Sequence, residues 1–96
     1  MNFNLNVNPH NLIYSDLVGL RVRVAASTDP TQVGVTGMVV DETARTLVVS
    51  AGGRDKVIPK VSSSFAFSLQ REVLVDGSSI AFSPEERLKR LQRRRM

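Results

Sequence analysis

The chain has 96 residues, a formal net charge of +4 at pH 7, 42% hydrophobic and only 5% aromatic residues, and no cysteine. This length predicts a single domain with a small core, and the lack of cysteine excludes disulfides and thiolate metal sites. No apolar run approaches the roughly 20 residues of a membrane-spanning helix, and the N-terminal residues lack a signal-peptide pattern. We therefore expect a cytoplasmic protein.

The N-terminal region combines a polar segment with a short helical pattern. Residues 1–8 alternate asparagine with apolar side chains, which predicts a flexible segment ahead of one domain over 9–96. After Pro9, apolar residues recur at helical spacing, at Leu12, Ile13, Leu17 and Leu20. With Gly19 as a stop signal, this pattern predicts an amphipathic helix over about 9–17.

From residue 20 the period changes to two, which indicates strands. The segment "LRVRVAA" puts valines on one face and Arg21 and Arg23 on the other. Further strand-like segments follow at 33–40, 46–50, "RDKVIPK", "SSFAFSL", "EVLVDG" and "SSIAF". Short antiparallel strands with hairpin-length links, over about 20–82, favour a small barrel. The predicted fold class is mainly β, a barrel of five to six strands with short N- and C-terminal helices.

Two glycines and one proline within these strands restrict or permit particular backbone conformations. Gly34 and Gly37 interrupt the second strand, and glycine there permits the sharp bend that a small barrel needs. A close approach of the backbone to a ligand is the alternative explanation. Pro59 has no backbone donor, so it belongs on an edge strand or at a strand end.

The C-terminal segment predicts a basic helix over about 84–95. Ser83 can cap it, Pro84 suits its first position, and Glu86 completes a capping box. Leu88 and Leu91 form a narrow apolar seam, which buries too little to hold the helix tightly against the barrel, so we expect part of its order to depend on a partner. We therefore expect that deletion of residues 87–96 leaves the barrel folded.

The whole net charge lies in residues 85–96, where six basic residues and two acidic ones give 6 − 2 = +4. A neutral body with a cationic end is typical of a protein that binds a polyanion, although a solvated helix face has the same composition. Phe65 and Phe67 lie on the apolar face of their strand and are predicted core residues, so few aromatic residues are left to stack on bases, which favours contact with the backbone of RNA. The candidate phosphate contacts are Arg21, Arg23, Arg54, Lys56, Lys60, Arg87, Lys89, Arg90 and Arg93.

No catalytic constellation is predicted. His10 is the single histidine, so it has no partner for a catalytic relay or a zinc site. Asp41 and Glu42 are adjacent, so on a strand they point to opposite faces and form no acid pair. Their position indicates a strand end and a turn, and the sequence predicts no bound metal.

Several stretches resemble the archaeal ribonuclease P protein component 1 family, relatives of a subunit of eukaryotic nuclear ribonuclease P. They are "NLIYSDLVGLRVRV", "STDPTQVGVTGMVVDETARTLVV", "KVIPK", "FAFSL" and "VDGSSIAFSPEERLKR". The resemblance implies an Sm-like barrel in a ribonucleoprotein that removes the 5′ leader of precursor tRNA. It also implies that the RNA, with magnesium, performs the chemistry, while this chain binds the specificity domain of that RNA.

The resemblance further implies a heterodimer with a zinc-ribbon protein subunit. Apolar residues of the two terminal helices would make that contact: Leu12, Ile13, Leu17, Leu88 and Leu91. Ser15 and Asp16 replace a His-Glu pair common in relatives, which leaves the details of the contact open. Two other functions stay open at this point, a free Sm-like RNA chaperone that forms rings and a peptide-binding barrel.

Overall fold

The computed structural model describes the backbone of residues 7–94 and the side chains of residues 7–90. The predicted flexible segment over 1–8 lies largely outside the described residues. A 3₁₀ helix, Leu12–Tyr14, precedes the sheet, a second one, Gly77–Ile80, follows it, and helix α1, Pro84–Arg94, comes last. The six strands are β1 (Arg21–Ser27), β2 (Thr36–Glu42), β3 (Thr46–Ala51), β4 (Arg54–Pro59), β5 (Ser63–Ser68) and β6 (Glu72–Asp76).

All six strands belong to one antiparallel sheet with the order β4-β3-β2-β1-β5-β6. Three strands separate β4 from β5, a distance of about 19 Å in a flat sheet with strands about 4.8 Å apart. Only residues 60–62 connect them, and the four Cα steps from Pro59 to Ser63 span at most about 14 Å. The sheet must therefore curl round, although no ladder joins β4 to β6 among the described residues. The predicted mainly β, barrel-like fold is confirmed.

The core lies inside the curled sheet and receives side chains from every strand. The alternation along β1 puts Val22 and Val24 inside, while Phe65 and Phe67 fill the centre from β5 with ring centroids 6.2 Å apart. These two phenylalanines are core residues, as the sequence predicts. The other buried apolar side chains are Leu12, Leu17, Leu20, Val39, Leu47, Val49, Ile58, Ala66, Val75 and Ile80.

The two glycines of the second predicted strand have different roles. Gly34 precedes β2 and has a φ of +88°, so it belongs to the turn and not to the strand. Gly37 lies within β2, and a Cβ there would be 1.8 Å from the carbonyl oxygen of Ser50 on β3. At Gly37, β2 and β3 approach too closely for any side chain, which explains the glycine, while the interpretation as a bend stays a prediction.

Two predicted elements differ from the structure, and a third, Pro59, agrees with its predicted position. The predicted helix over 9–17 is a single 3₁₀ turn, and Leu12 and Leu17 on either side of its end are buried in the core. The segment "SSIAF" contributes to a 3₁₀ helix and not to a strand. Pro59 is the last residue of the edge strand β4, which satisfies both positions predicted for it.

The capping signal of the C-terminal helix is confirmed. Pro84 is its first residue, and the Ser83 Oγ accepts a hydrogen bond of 3.1 Å from the Glu86 backbone N–H. Glu85 and Glu86 lie in the first turn, where the helix dipole favours negative charge. The helix packs beside the first 3₁₀ turn, so both terminal elements cover the same side of the barrel.

Candidate functional site

A buried ion cluster joins β2 to the residues that follow β4 and β6. Lys60 is fully buried, and its Nζ donates hydrogen bonds of 2.8 Å to Glu42 Oε2, 2.6 Å to the Thr43 carbonyl and 3.0 Å to the Phe82 carbonyl. The ammonium group has three donors, so all of them are used. Burial lowers the pKa of Lys60, while the hydrogen bond to Glu42 and its charge oppose that effect.

Arg87 of α1 completes the cluster from the other side. Its Nε donates to Glu42 Oε2 at 3.0 Å, and its Nη2 donates to Glu42 Oε1. Its Nη1 donates to the carbonyls of Ile13 at 3.1 Å and of Ser15 at 2.6 Å. One guanidinium thus fastens the C-terminal helix to the barrel and to the N-terminal segment.

The cluster corrects two predictions about phosphate contacts. Lys60 and Arg87 were predicted on the RNA-binding surface, but their exposed fractions are 0% and 1%, and their donors point to Glu42 and to backbone carbonyls. Glu42 was interpreted as an ordinary strand end, yet it is the anion that both cations share. The exposed neighbour Asp41 fits that earlier interpretation.

A shift of register explains how Glu42 becomes buried. Val39 pairs with Val49 of β3, but the next pair is Asp41 with Val48, so Val40 is an extra residue in β2. Without this irregularity, strict alternation from the buried Val39 would turn residue 41 inward. With it, Glu42 lies opposite the buried Leu47 and faces the interior.

The cluster adds a cost in stability to the deletion of residues 87–96, after which the sequence predicts that the barrel stays folded. We expect a chain that ends after Glu86 to unfold several degrees below the full chain, because removal of Arg87 leaves Glu42 with one cationic partner and removes the donor to two partly buried carbonyls. A chain that ends after Arg90 retains the cluster and is the matched control. Thermal unfolding followed by circular dichroism measures both, and equal midpoints would contradict the prediction.

Among the basic candidates, Arg21 and Arg23 lie on the outer face of β1. Arg21 is exposed, whereas Arg23 Nη2 forms an ion pair of 3.0 Å with Glu72 Oε1 of β6. Arg23 pairs with Ala66 of β5, which lies between β1 and β6, so the ion pair spans this strand. Glu72 therefore neutralises Arg23 and leaves Arg21 as the uncompensated charge of this face.

A further arginine, Arg71, lies next to this face. It belongs to the turn over 69–71, which joins β5 to β6, and it is exposed. Arg21 pairs directly with Ser68, the residue that precedes the turn. We name Arg21, Arg23 and Arg71 together the β1–β6 basic surface. The sequence pattern did not predict that Arg71 lies near Arg21, because the pairing of β1 with β5 brings these distant positions together.

Arg54 and Lys56 do not belong to the β1–β6 basic surface. Both are exposed, but Lys56 pairs with the buried Val49 and Arg54 with Ala51, so they lie on the core-facing side of β4 beyond the end of the core. The strand order places β4 three strands from β1. The predicted cluster of all basic strand residues is therefore divided into two separate groups.

Helix α1 presents the remaining candidates. Lys89 is exposed, and the Arg90 guanidinium carbon lies 3.8 Å from the centroid of the Phe82 ring. This cation–π contact fixes Arg90 on the barrel and leaves it half-buried. Leu88 is 45% exposed, so it is available to a partner, whereas Leu12 and Leu17 serve the chain's own core and Ile13 is half-buried against it. The predicted contacts of Leu91 and Arg93 lie outside the described side chains.

The composition and geometry of the described residues indicate a class of protein. They contain no group of three or more histidine, cysteine, aspartate or glutamate side chains that could hold a metal ion. No helix in the part of the chain that the structure describes is long and apolar enough to cross a membrane. What they do contain is a small barrel with the exposed Arg21 on its outer face and the exposed Arg71 in the adjacent turn, a distribution of charge typical of proteins that bind a polyanion.

Comparisons with known proteins agree on one family. The sequence profile of ribonuclease P/MRP, subunit p29, matches residues 10–90. Ribonuclease P protein component 1 of Methanocaldococcus jannaschii is 42% identical over 86 residues, which cover 88% of this chain and 90% of the relative. The protein of the same name from Thermofilum pendens is 39% identical over 89 residues, which cover 90% and 95%.

A solved structure extends the agreement to the fold. It is described as "Structure of Mth11: A homologue of human RNase P protein Rpp29", and it superposes with a TM-score of 0.55 at 39% identity, over 75% of this chain and 96% of that chain. The chain belongs to the ribonuclease P/MRP subunit p29 family and is a protein subunit of ribonuclease P. The predicted family and function are confirmed, and a free Sm-like chaperone is not favoured.

Proposed function

We propose that this chain is a non-catalytic, RNA-binding subunit of the ribonuclease P holoenzyme, which removes the 5′ leader of precursor tRNA. It supports the folding and substrate recognition of the catalytic RNA. The family match over residues 10–90 carries the proposal. Arg21 and Arg71 support the RNA-binding part, because uncompensated arginines on a folded surface neutralise phosphates and release counterions.

The partner protein is part of the same proposal. A zinc-ribbon subunit would pack against the side of the barrel that the first 3₁₀ helix and α1 cover. The exposed Leu88 of α1 and the half-buried Ile13 support this location. Together the two proteins would bind the specificity domain of the RNA. Magnesium would be bound by the catalytic RNA and not by this chain, and the holoenzyme would act in the cytoplasm.

Reconstitution tests the role in the holoenzyme. Precursor tRNA cleavage by ribonuclease P RNA and the other protein subunits is measured at limiting magnesium, with and without this chain. We expect the chain to raise the cleavage rate and to cut nothing when it is present alone. Cleavage by the chain alone, or an unchanged rate after its addition, would contradict the proposal.

The location of the RNA contacts gives a separate prediction. We expect Arg21→Ala and Arg71→Ala each to weaken binding of the cognate RNA and to reduce the slope of log affinity against log salt concentration by about one. Arg54→Ala and Lys56→Ala, in the separate group on β4, are the matched controls. Filter binding at a series of salt concentrations measures all four variants. A larger loss of RNA affinity in the β4 variants would contradict the prediction and indicate that the RNA contacts lie on β4.

A further inference from the structure

A cavity of about 380 Å³ lies between the N-terminal segment and the turn that joins β5 to β6. Residues 7–10 line one side, and residues 69–71 line the other. Its volume is at the lower end of the roughly 300–1,000 Å³ that is usual for small-molecule sites. The buried ion cluster is not part of it, and neither are the proposed protein contacts Ile13 and Leu88.

The lining of the cavity is divided between apolar and polar groups. Val7, Pro9 and Leu69 provide apolar contact area, whereas His10 and Gln70 provide side chains that can donate and accept hydrogen bonds. Within the described residues, no hydrogen bond or ion pair engages the side chain of Gln70 or of the neighbouring Arg71. These groups are therefore available to a ligand.

The charge around the cavity favours an anionic ligand. Its lining contains one guanidinium, that of Arg71, and no carboxylate. Arg21 stands across from Ser68, next to the turn that forms one wall. The carboxylate closest along the chain, that of Glu72, is already paired with Arg23. A ligand that matches this lining has an apolar part next to an anionic group such as a phosphate.

We propose that this cavity binds a single unpaired nucleotide of the RNA. The base lies against Pro9 and Leu69, the Gln70 amide hydrogen-bonds the edge of the base, and Arg71 and His10 contact the 5′ phosphate. Unpaired nucleotides are what proteins read most specifically in RNA, because their bases are free of the helix. The inference rests on the proposed function and adds a defined nucleotide site to the arginines of the β1–β6 basic surface.

Nucleotide titration of the full-length protein tests the site directly. Amide signals of residues 69–71 and the imidazole signals of His10 are followed by NMR, with 5′-AMP, 5′-UMP, adenosine and ribose 5-phosphate as probes. We expect saturable shifts with both nucleotides and weaker binding of the two fragments. Arg71→Gln should weaken nucleotide binding by about tenfold, since it removes a charge-assisted hydrogen bond. Arg54→Gln, on β4, should leave it unchanged.

Other results would overturn the inference. No saturable shift of these signals at millimolar nucleotide would remove the site, as would equal binding by the Arg71→Gln protein. Binding of ribose 5-phosphate as tight as that of the nucleotides would show a phosphate site without a base pocket. These outcomes leave the proposed function intact if the chain still raises ribonuclease P activity. Nucleotide binding by a chain that fails in reconstitution would instead contradict the proposed function alone.

Discussion

Replacement of Glu42 by glutamine is expected to lower the free energy of unfolding by about 3–5 kcal/mol, the usual cost of breaking a buried ion pair. The glutamine has nearly the same shape but no charge, so Lys60 and Arg87 would be buried beside each other without a counterion. Small domains have total stabilities of about 5–15 kcal/mol. The variant should therefore unfold at much lower urea concentration than the wild type.

Asp41→Asn is the matched control, because it makes the same chemical change one residue away on an exposed side chain. The Asp41 Oδ1 accepts a hydrogen bond from the Glu42 backbone N–H, and an asparagine oxygen can accept it equally. Urea unfolding followed by circular dichroism compares the two variants. Equal stabilities would show that the cluster contributes nothing beyond an exposed ion pair. A combined Glu42→Leu, Lys60→Met and Arg87→Met variant should recover part of the loss, since an apolar cluster leaves no charge unpaired.

Replacement of Gly37 by alanine is expected to cost about 3 kcal/mol or more, the upper range of overpacking in a rigid core. An added Cβ would lie 1.8 Å from the Ser50 carbonyl oxygen and 2.7 Å from its carbonyl carbon. Both are backbone atoms of β3, so relief requires the two strands to move apart. That movement would weaken the curl of the sheet that encloses the core.

Gly53→Ala serves as the comparison for this glycine. Gly53 has a φ of +81°, but an added Cβ would meet nothing within 4 Å. Its substitution should therefore cost only the strain of a left-handed backbone, about 1–2 kcal/mol. The midpoints of thermal unfolding of the two variants separate the two causes. If Gly53→Ala were the more destabilising, the prediction that the strand contact at Gly37 costs more than left-handed backbone strain would be contradicted.

The elements that the sequence predicted well are those set by local rules. Alternation identified the strands, and the Ser83, Pro84 and Glu86 signal placed the start of α1 at the correct residue. The same rules separated the core from the surface in β1 and β5, where Val22 and Phe65 are buried as expected. Local patterns of this kind are reliable because successive side chains of a strand point to opposite faces, one of which faces the core.

The parts that could not be predicted depend on contacts between distant segments. The extra residue at Val40 turns Glu42 inward, and no local sequence pattern predicts this shift of register. Once Glu42 is inside, Lys60 and Arg87 become its partners instead of surface cations. The length of the N-terminal helix was overestimated for a related reason. Its leucines recur at helical spacing, but Leu12 lies in a 3₁₀ turn and Leu17 lies after it, and both are buried in the barrel core.

The ion cluster also has a consequence for how the protein is made. Arg87 bonds partners that lie 45, 72 and 74 positions earlier in the sequence, so these contacts form only long after their partners have been synthesised. Until Arg87 has left the ribosome, Glu42 has Lys60 as its one cationic partner, and the carbonyls of Ile13 and Ser15 lack their hydrogen bonds to the guanidinium. Complete packing of the barrel is thus linked to the synthesis of Arg87, and a product that ends before this residue would lack the contacts that hold α1.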